Sequence, residues 1–263
     1  MTEENYELID SGYTAKVYRI PGTQTVCKIF QAKHASSQFQ VEVEAYTRLS
    51  SHNPPSSILQ YHGISPDIPY SLILSYAAKG SLYKYIYDSQ IYNTRPTPPT
   101  LYRWAQQAAT ALSYAHQHNI LHADIHTSNF VLDENLDLKL CDFGGASIDG
   151  GISWSFYRLT HRLFGEEGDV PTMEITVASE IFALGSALFS MVGGEDLFPE
   201  LDYKKDRAEI VGRFMEKRFP DTSSLLVLGD VILDCWNLRF ATMEEVLERI
   251  VAERDAAQVM GVE

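Results

Sequence analysis

Asp124, Asn129 and Asp142 put two carboxylates and a carboxamide around one short stretch, LHADIHTSNFVLDENLDLKLCDFGG. Residues 130–132 and 138–141 are apolar runs rich in strand formers, and residues 133–137 between them are polar and turn-forming, so the spacing predicts a hairpin. A hairpin brings its ends together, which sets Asn129 beside Asp142 with hard oxygen atoms aimed at one place. Such a pair suits Mg²⁺, which keeps several waters and takes the rest of its shell from one or two side chains and from phosphate oxygens. Asp124, one turn of loop before Asn129, is placed to accept the proton of an attacking hydroxyl. The chemistry these residue types suggest is phosphoryl transfer.

HADIHTSNF resembles the catalytic loop of eukaryotic protein kinases, written HRDxxxxN, and Asp142-Phe143-Gly144 is similar to their DFG motif. The resemblance implies ATP and Mg²⁺ as cofactors, Asp124 as base, and Asn129 and Asp142 as metal ligands. It also implies an α+β, two-lobed fold in a single domain. A small β-rich lobe with one helix would occupy about residues 1–76, and a larger, mainly helical lobe about 77–263.

The other elements must position this loop. YELID, KVYRI and TVCKIF alternate like strands, and SGYTAKV stands in the place of a glycine-rich loop, with Gly12 as its middle glycine and Val17 against adenine. Asp10 and Ala15 occupy the other two glycine positions, so a looser hold on ATP is expected. Val26-Cys27-Lys28 resembles the VAIK strand, which puts Lys28 under the α and β phosphates. In the helix SSQFQVEVEAYTRLSSH, Phe39, Val43, Tyr46 and Leu49 recur at helical spacing, leaving Glu42, or failing it Glu44, as the acid that binds Lys28. YSLILSY reads as a buried strand leading to a hinge, with Leu74 as gatekeeper and Ser75, Tyr76 and Ala77 offering backbone groups to adenine. Tyr83, Tyr85 and Tyr87 read as a packed or half-exposed helix face, and Pro96, Pro98 and Pro99 as a loop. Leu101, Trp104, Ala108, Leu112 and Ala115 then mark a long amphipathic helix that delivers the chain to the catalytic loop.

Beyond Gly145 an aperiodic, Gly- and Ser-rich stretch takes the place of the activation segment and lacks an APE ending. VASEIFALGSALFSMV is similar to the buried helix written SDVWSxG, with Glu180 in place of the acid that holds the catalytic-loop backbone. CWNLRFATM matches the region written CWxxxxxxRP, with Arg239 as a structural ion-pair partner.

A formal net charge of −14 over 263 residues argues against a general nucleic-acid binder or an anionic membrane surface as partner. The polar, acidic start MTEENYELID is no signal peptide, and the apolar run at 181–192 is interrupted and short, so a cytoplasmic protein is expected. Cys27, Cys141 and Cys235 lack framework spacing and read as reduced thiols, with Cys141 lining the nucleotide pocket in reach of an electrophile.

Two departures bear on function. Ala123 replaces the arginine of HRD, so phosphorylation of the activation segment is not expected to be the main switch. His126 sits where Ser/Thr kinases carry a lysine on the transferred phosphate; in that role it would make turnover rise toward mildly acidic pH. The reading is ATP-dependent phosphorylation of protein Ser/Thr hydroxyls. The alternatives are a pseudokinase that binds a partner or nucleotide without turnover, and a kinase-like phosphotransferase for a small molecule.

Overall fold

A computed structural model describes residues 6–31, 37–87, 95–165 and 175–259. Five strands, β1 (Glu7–Ser11), β2 (Ala15–Arg19), β3 (Thr25–Phe30), β4 (Tyr61–Ile64) and β5 (Ser71–Ser75), form one antiparallel sheet in the order β1-β2-β3-β5-β4. β3 lies at its centre, and the two-residue alternation of a strand sets Val26 and Lys28 on one face and the fully buried Cys27 on the other. Helix α1 (Gln38–Ser50) buries Glu42, Ala45, Tyr46 and Leu49, a stripe at helical spacing.

The larger half begins with β6 (Gly80–Ser81) and α2 (Leu82–Tyr87). Its central helix, α3 (Pro98–Gln117), buries Leu101, Trp104, Ala108, Leu112 and Ala115. Pro98 and Pro99 are not loop residues as expected from the sequence but its first turn, where a missing N–H costs nothing and a fixed φ favours the helix. Tyr85 packs edge-on against Trp104 at 5.6 Å and Tyr87 donates to Asp196 Oδ1 at 2.9 Å, so these rings hold α2 down.

Strand β7 (Ile120–Leu121) leads into the loop at 122–129. The expected hairpin is β8 (Phe130–Leu132) and β9 (Leu138–Leu140), paired Phe130 to Leu140, and β6 adds a third strand. β10 (Ser147–Ile148) pairs with β7, so the chain on both sides of the site is clamped at its root. Helix α4 (Val177–Gly193) opens with a capping box between Thr176 and Ser179 and buries almost every residue, which explains the apolar run at 181–192. Around it lie α5 (Arg207–Met215), α6 (Gly229–Trp236) and α7 (Met243–Val259). No helix among the described residues is long and apolar enough to cross a membrane. The amino-terminal residues 1–5 and the end of the stretch beyond Gly145, at 166–174, lie outside the described residues.

Candidate active site

Residues 122–129 are held from below by one carboxylate. Glu180 of α4 is fully buried, and it accepts from the His122 N–H at 2.9 Å and the Ala123 N–H at 2.7 Å. It also bonds the Tyr157 hydroxyl at 2.7 Å and His116 Nε2 at 3.0 Å. Ala123 sits at φ 66°, a left-handed conformation that an alanine adopts only under constraint, and the bond to Glu180 supplies it. His122 donates from Nε2 to the Cys141 carbonyl at 2.9 Å and accepts the Asp124 N–H at Nδ1, stitching the loop to the end of the hairpin.

Above this floor, Asp124 accepts from Asn129 Nδ2 at its carbonyl (2.7 Å) and at Oδ2 (3.1 Å), and His126 Nε2 lies 3.3 Å from its Oδ1. His126 Nδ1 takes the Ser128 N–H at 3.1 Å. The imidazole therefore sets one nitrogen beside Asp124 and caps the 3-10 turn at 127–129 with the other. Asn129 spends its amide hydrogens on Asp124, which leaves its oxygen for a cation. The Cys141 N–H bonds the Asn129 carbonyl at 2.9 Å, so hairpin pairing sets Asp142 next to Asn129, as the spacing suggested.

Asp142 has φ 69°, another left-handed residue, which turns its side chain toward β3. Lys28 there donates to Asp142 Oδ1 at 2.7 Å and to Glu42 Oε2 at 2.5 Å. Glu44, the other candidate partner, is exposed and bonds Arg48. Burial alone would lower the Lys28 ammonium, but Asp142 and Glu42 outweigh it and hold the group above the usual lysine range. Burial likewise raises Asp142, yet Lys28 more than reverses this, so the carboxylate stays ionised. For Glu42 burial wins over Lys28 and pushes the carboxyl up to about 7. Mg²⁺ fits this donor set: the free oxygens of Asn129 and Asp142 are hard ligands on adjacent, hydrogen-bonded segments and border one cavity.

That cavity is about 1210 Å³, room for a nucleotide and part of an acceptor. Val17, Leu74, Tyr76 and Ala77 border its inner end and Gly12 its roof. The Tyr76 N–H is taken by the Gln24 carbonyl at 2.9 Å and the Ser75 N–H by Gln60, so neither serves adenine as a donor. The Ala77 N–H has no backbone acceptor among the described residues. In the roof, the Gly12 N–H bonds Ala15 O at 2.9 Å, closing an ordinary hairpin turn that withholds this amide from a phosphate.

Two expectations fail. Cys141 borders the cavity, but burial and then Asp142 push its thiol well above the ordinary range and Sγ donates to Asn129 O, so it is no nucleophile for an electrophile. Among the described residues Arg239 does form an ion pair, with Asp234 at 3.4 Å, but its side chain is 70% exposed, so the pair lies at the surface and ties nothing in the core. Sequence reasoning also missed Tyr157, His116 and Arg158. The first and last lie in an aperiodic segment, and His116 reads as one more position on a packed helix.

A two-lobed domain with a Lys–Glu–Asp triad at the lobe junction and an Asp–Asn loop beneath it is the class that fold and site define. A family model for the protein kinase domain matches residues 4–246, and the chain belongs to that family. Maternal embryonic leucine zipper kinase of Danio rerio is 25% identical over 245 residues, 87% of this chain and 34% of that protein. Mitogen-activated protein kinase homolog NTF6 of Nicotiana tabacum is 34% identical over 106 residues, 40% of this chain and 29% of that protein. Mitogen-activated protein kinase kinase kinase zak-1 of Caenorhabditis elegans is 26% identical over 162 residues, 57% of this chain. The matches thus span between 22% and 34% of these relatives' lengths.

Proposed function

We propose that this chain transfers the γ-phosphoryl group of ATP to Ser or Thr hydroxyls of a protein. The acceptor oxygen bonds phosphorus as the bridge to ADP breaks, and the acceptor's proton goes to Asp124, whose carboxylate is steered by Asn129 and His126. Lys28, kept charged and in place by Glu42, meets the α and β phosphates. Asn129 and Asp142 would hold Mg²⁺, which would supply charge neutralisation at the phosphates. The observation that carries the reading is the Lys28 bridge to both Glu42 and Asp142, since it assembles β3, α1 and the end of the hairpin into one charged centre. The preference for Ser/Thr rests on the resemblance of the loop alone.

Thermal unfolding with Mg²⁺ and ATP tests the site. At about 100 times Kd the nucleotide should stabilise the wild type by about 2.7 kcal/mol, and Asp142→Asn should lose the Mg²⁺-dependent part. Phosphoamino-acid analysis of a general protein acceptor then separates Ser/Thr from Tyr transfer. A nucleotide-binding protein without turnover is the second reading, favoured by Asp10 and Ala15 in the roof turn and its internally bonded Gly12 N–H. Binding without transfer, in wild type and Asp124→Asn alike, would establish it.

A further inference from the structure

The catalytic loop supplies no cation for the group it would transfer. Residues 122–129 contain neither Lys nor Arg, and His126 is buried within the loop, its Nδ1 taking the Ser128 N–H and its Nε2 3.3 Å from Asp124 Oδ1. The other cations at the cavity lie elsewhere: Lys28 sits between Glu42 and Asp142, Lys84 meets Asp10 at 3.3 Å, and Lys79 belongs to the hinge, its N–H on Leu132 O. Phosphoryl transfer spreads negative charge over three equatorial oxygens and gains most from a preorganised donor beside them.

Arg158 borders the cavity together with Asp124, His126, Ser128 and Asn129. It is exposed, and it donates to Ser128 Oγ at 3.4 Å, one residue before Asn129. It has no carboxylate partner among the described residues, so a guanidinium with five N–H donors keeps most of them free. Its backbone is fixed to the same reference as the loop. Tyr157 donates to Glu180, the carboxylate that holds the His122 and Ala123 amides, and Arg162 donates to the Tyr157 carbonyl at 3.2 Å. Tyr157 before it is buried, while the exposed Arg158 side chain borders the cleft.

We infer that Arg158 is a catalytic residue that binds the phosphoryl group in transit, a cation supplied by the activation segment because the loop has none. His126 is then a positioning residue for Asp124. This inference rests on the kinase reading above.

The test uses the full chain with Arg158→Ala and Arg158→Lys. Arg158→Ala should lower kcat by roughly 10²- to 10³-fold with KM for ATP within about threefold, and Arg158→Lys should recover part of the loss. Binding gives a second readout: Mg²⁺·ADP with aluminium fluoride, which imitates the group in transit, should bind Arg158→Ala at least about tenfold more weakly, while Mg²⁺·ADP alone binds as to wild type. Weakening of both complexes alike would mean a structural role and overturn the inference. So would an aluminium fluoride complex equally tight in wild type and Arg158→Ala, whether or not either protein turns over. A wild type that binds Mg²⁺·ATP and transfers nothing overturns the kinase reading instead.

Discussion

Glu180 concentrates the residue-scale energetics, because four donors converge on a carboxylate with no solvent exposure. Burial raises its pKa, but His116 and the other donors more than compensate and leave it below the usual value of 4.5. The folded state thus binds this proton less tightly than the unfolded one, and the stabilisation is present above about pH 4.5 and lost as pH falls below it. Glu180→Gln should cost about 3 kcal/mol at pH 7. The gap in melting temperature between wild type and variant should narrow as calorimetry moves from pH 7 to pH 4; a constant gap would mean the carboxylate is not ionised. Glu42 has the opposite sign. With its carboxyl pushed up to about 7, protonation just below neutrality loosens Lys28. Initial rates should therefore fall between pH 7 and pH 6, and a flat profile would show that Glu42 stays ionised there.

At the scale of elements, close approach of backbones does the work. A Cβ on Gly185 of α4 would lie 2.8 Å from Cys235 Cβ and 3.3 Å from the Trp236 ring on α6, so the glycine sets the distance between the two helices. Trp236 Nε1 donates to Ser186 Oγ at 3.1 Å and fixes their register. Gly185→Ala should cost about 1–3 kcal/mol in denaturant unfolding, through overpacking; an unchanged midpoint would show that α6 yields freely. Helix α1 is anchored on its other side by Arg48, which forks onto both oxygens of Asp149 at 2.8 Å and reaches the His118 carbonyl at 3.3 Å. Ala123 stands where the resemblance expects the arginine that reads a phosphate on this segment, and Arg48 is already taken by the Asp149 carboxylate. Phosphatase treatment should therefore leave activity within about threefold, whereas a near-total loss would place the switch in a phosphate after all.

For the whole molecule, the two halves meet through an aromatic column as well as through Lys28. Tyr61 stacks on Tyr46 at 5.4 Å, Tyr46 meets Phe143 edge-on at 5.1 Å, and Phe143 meets His122 at 4.9 Å, joining β4, α1, the end of the hairpin and the catalytic loop. Phe143→Ala should cost about 3–5 kcal/mol. Its diagnostic effect is local: hydrogen exchange should lose protection in β3 and α1 while α3, α4 and α6 keep theirs. Equal loss throughout would show that the column only fills volume and does not couple the halves.

What was legible from sequence alone follows from how local each signal is. The hairpin, the strands of the small lobe and the stripe of α3 come from periods of two and of 3.6 residues that any short window contains, and Asp124, Asn129 and Asp142 are ordered by one hairpin. The choice of Glu42 over Glu44, two positions apart on one helix, was decided only by which side of α1 faces β3. Pro98 and Pro99 looked like a loop because proline signals a break and the start of a helix in the same letters. Tyr157, Arg158 and Asp149 carry no periodic signal at all. Tyr157 and Arg158 reach the loop at 122–129, and Asp149 reaches α1, through chain reversals that only tertiary packing fixes, because a carboxylate on α4 and a guanidinium on α1 hold an otherwise irregular segment in place.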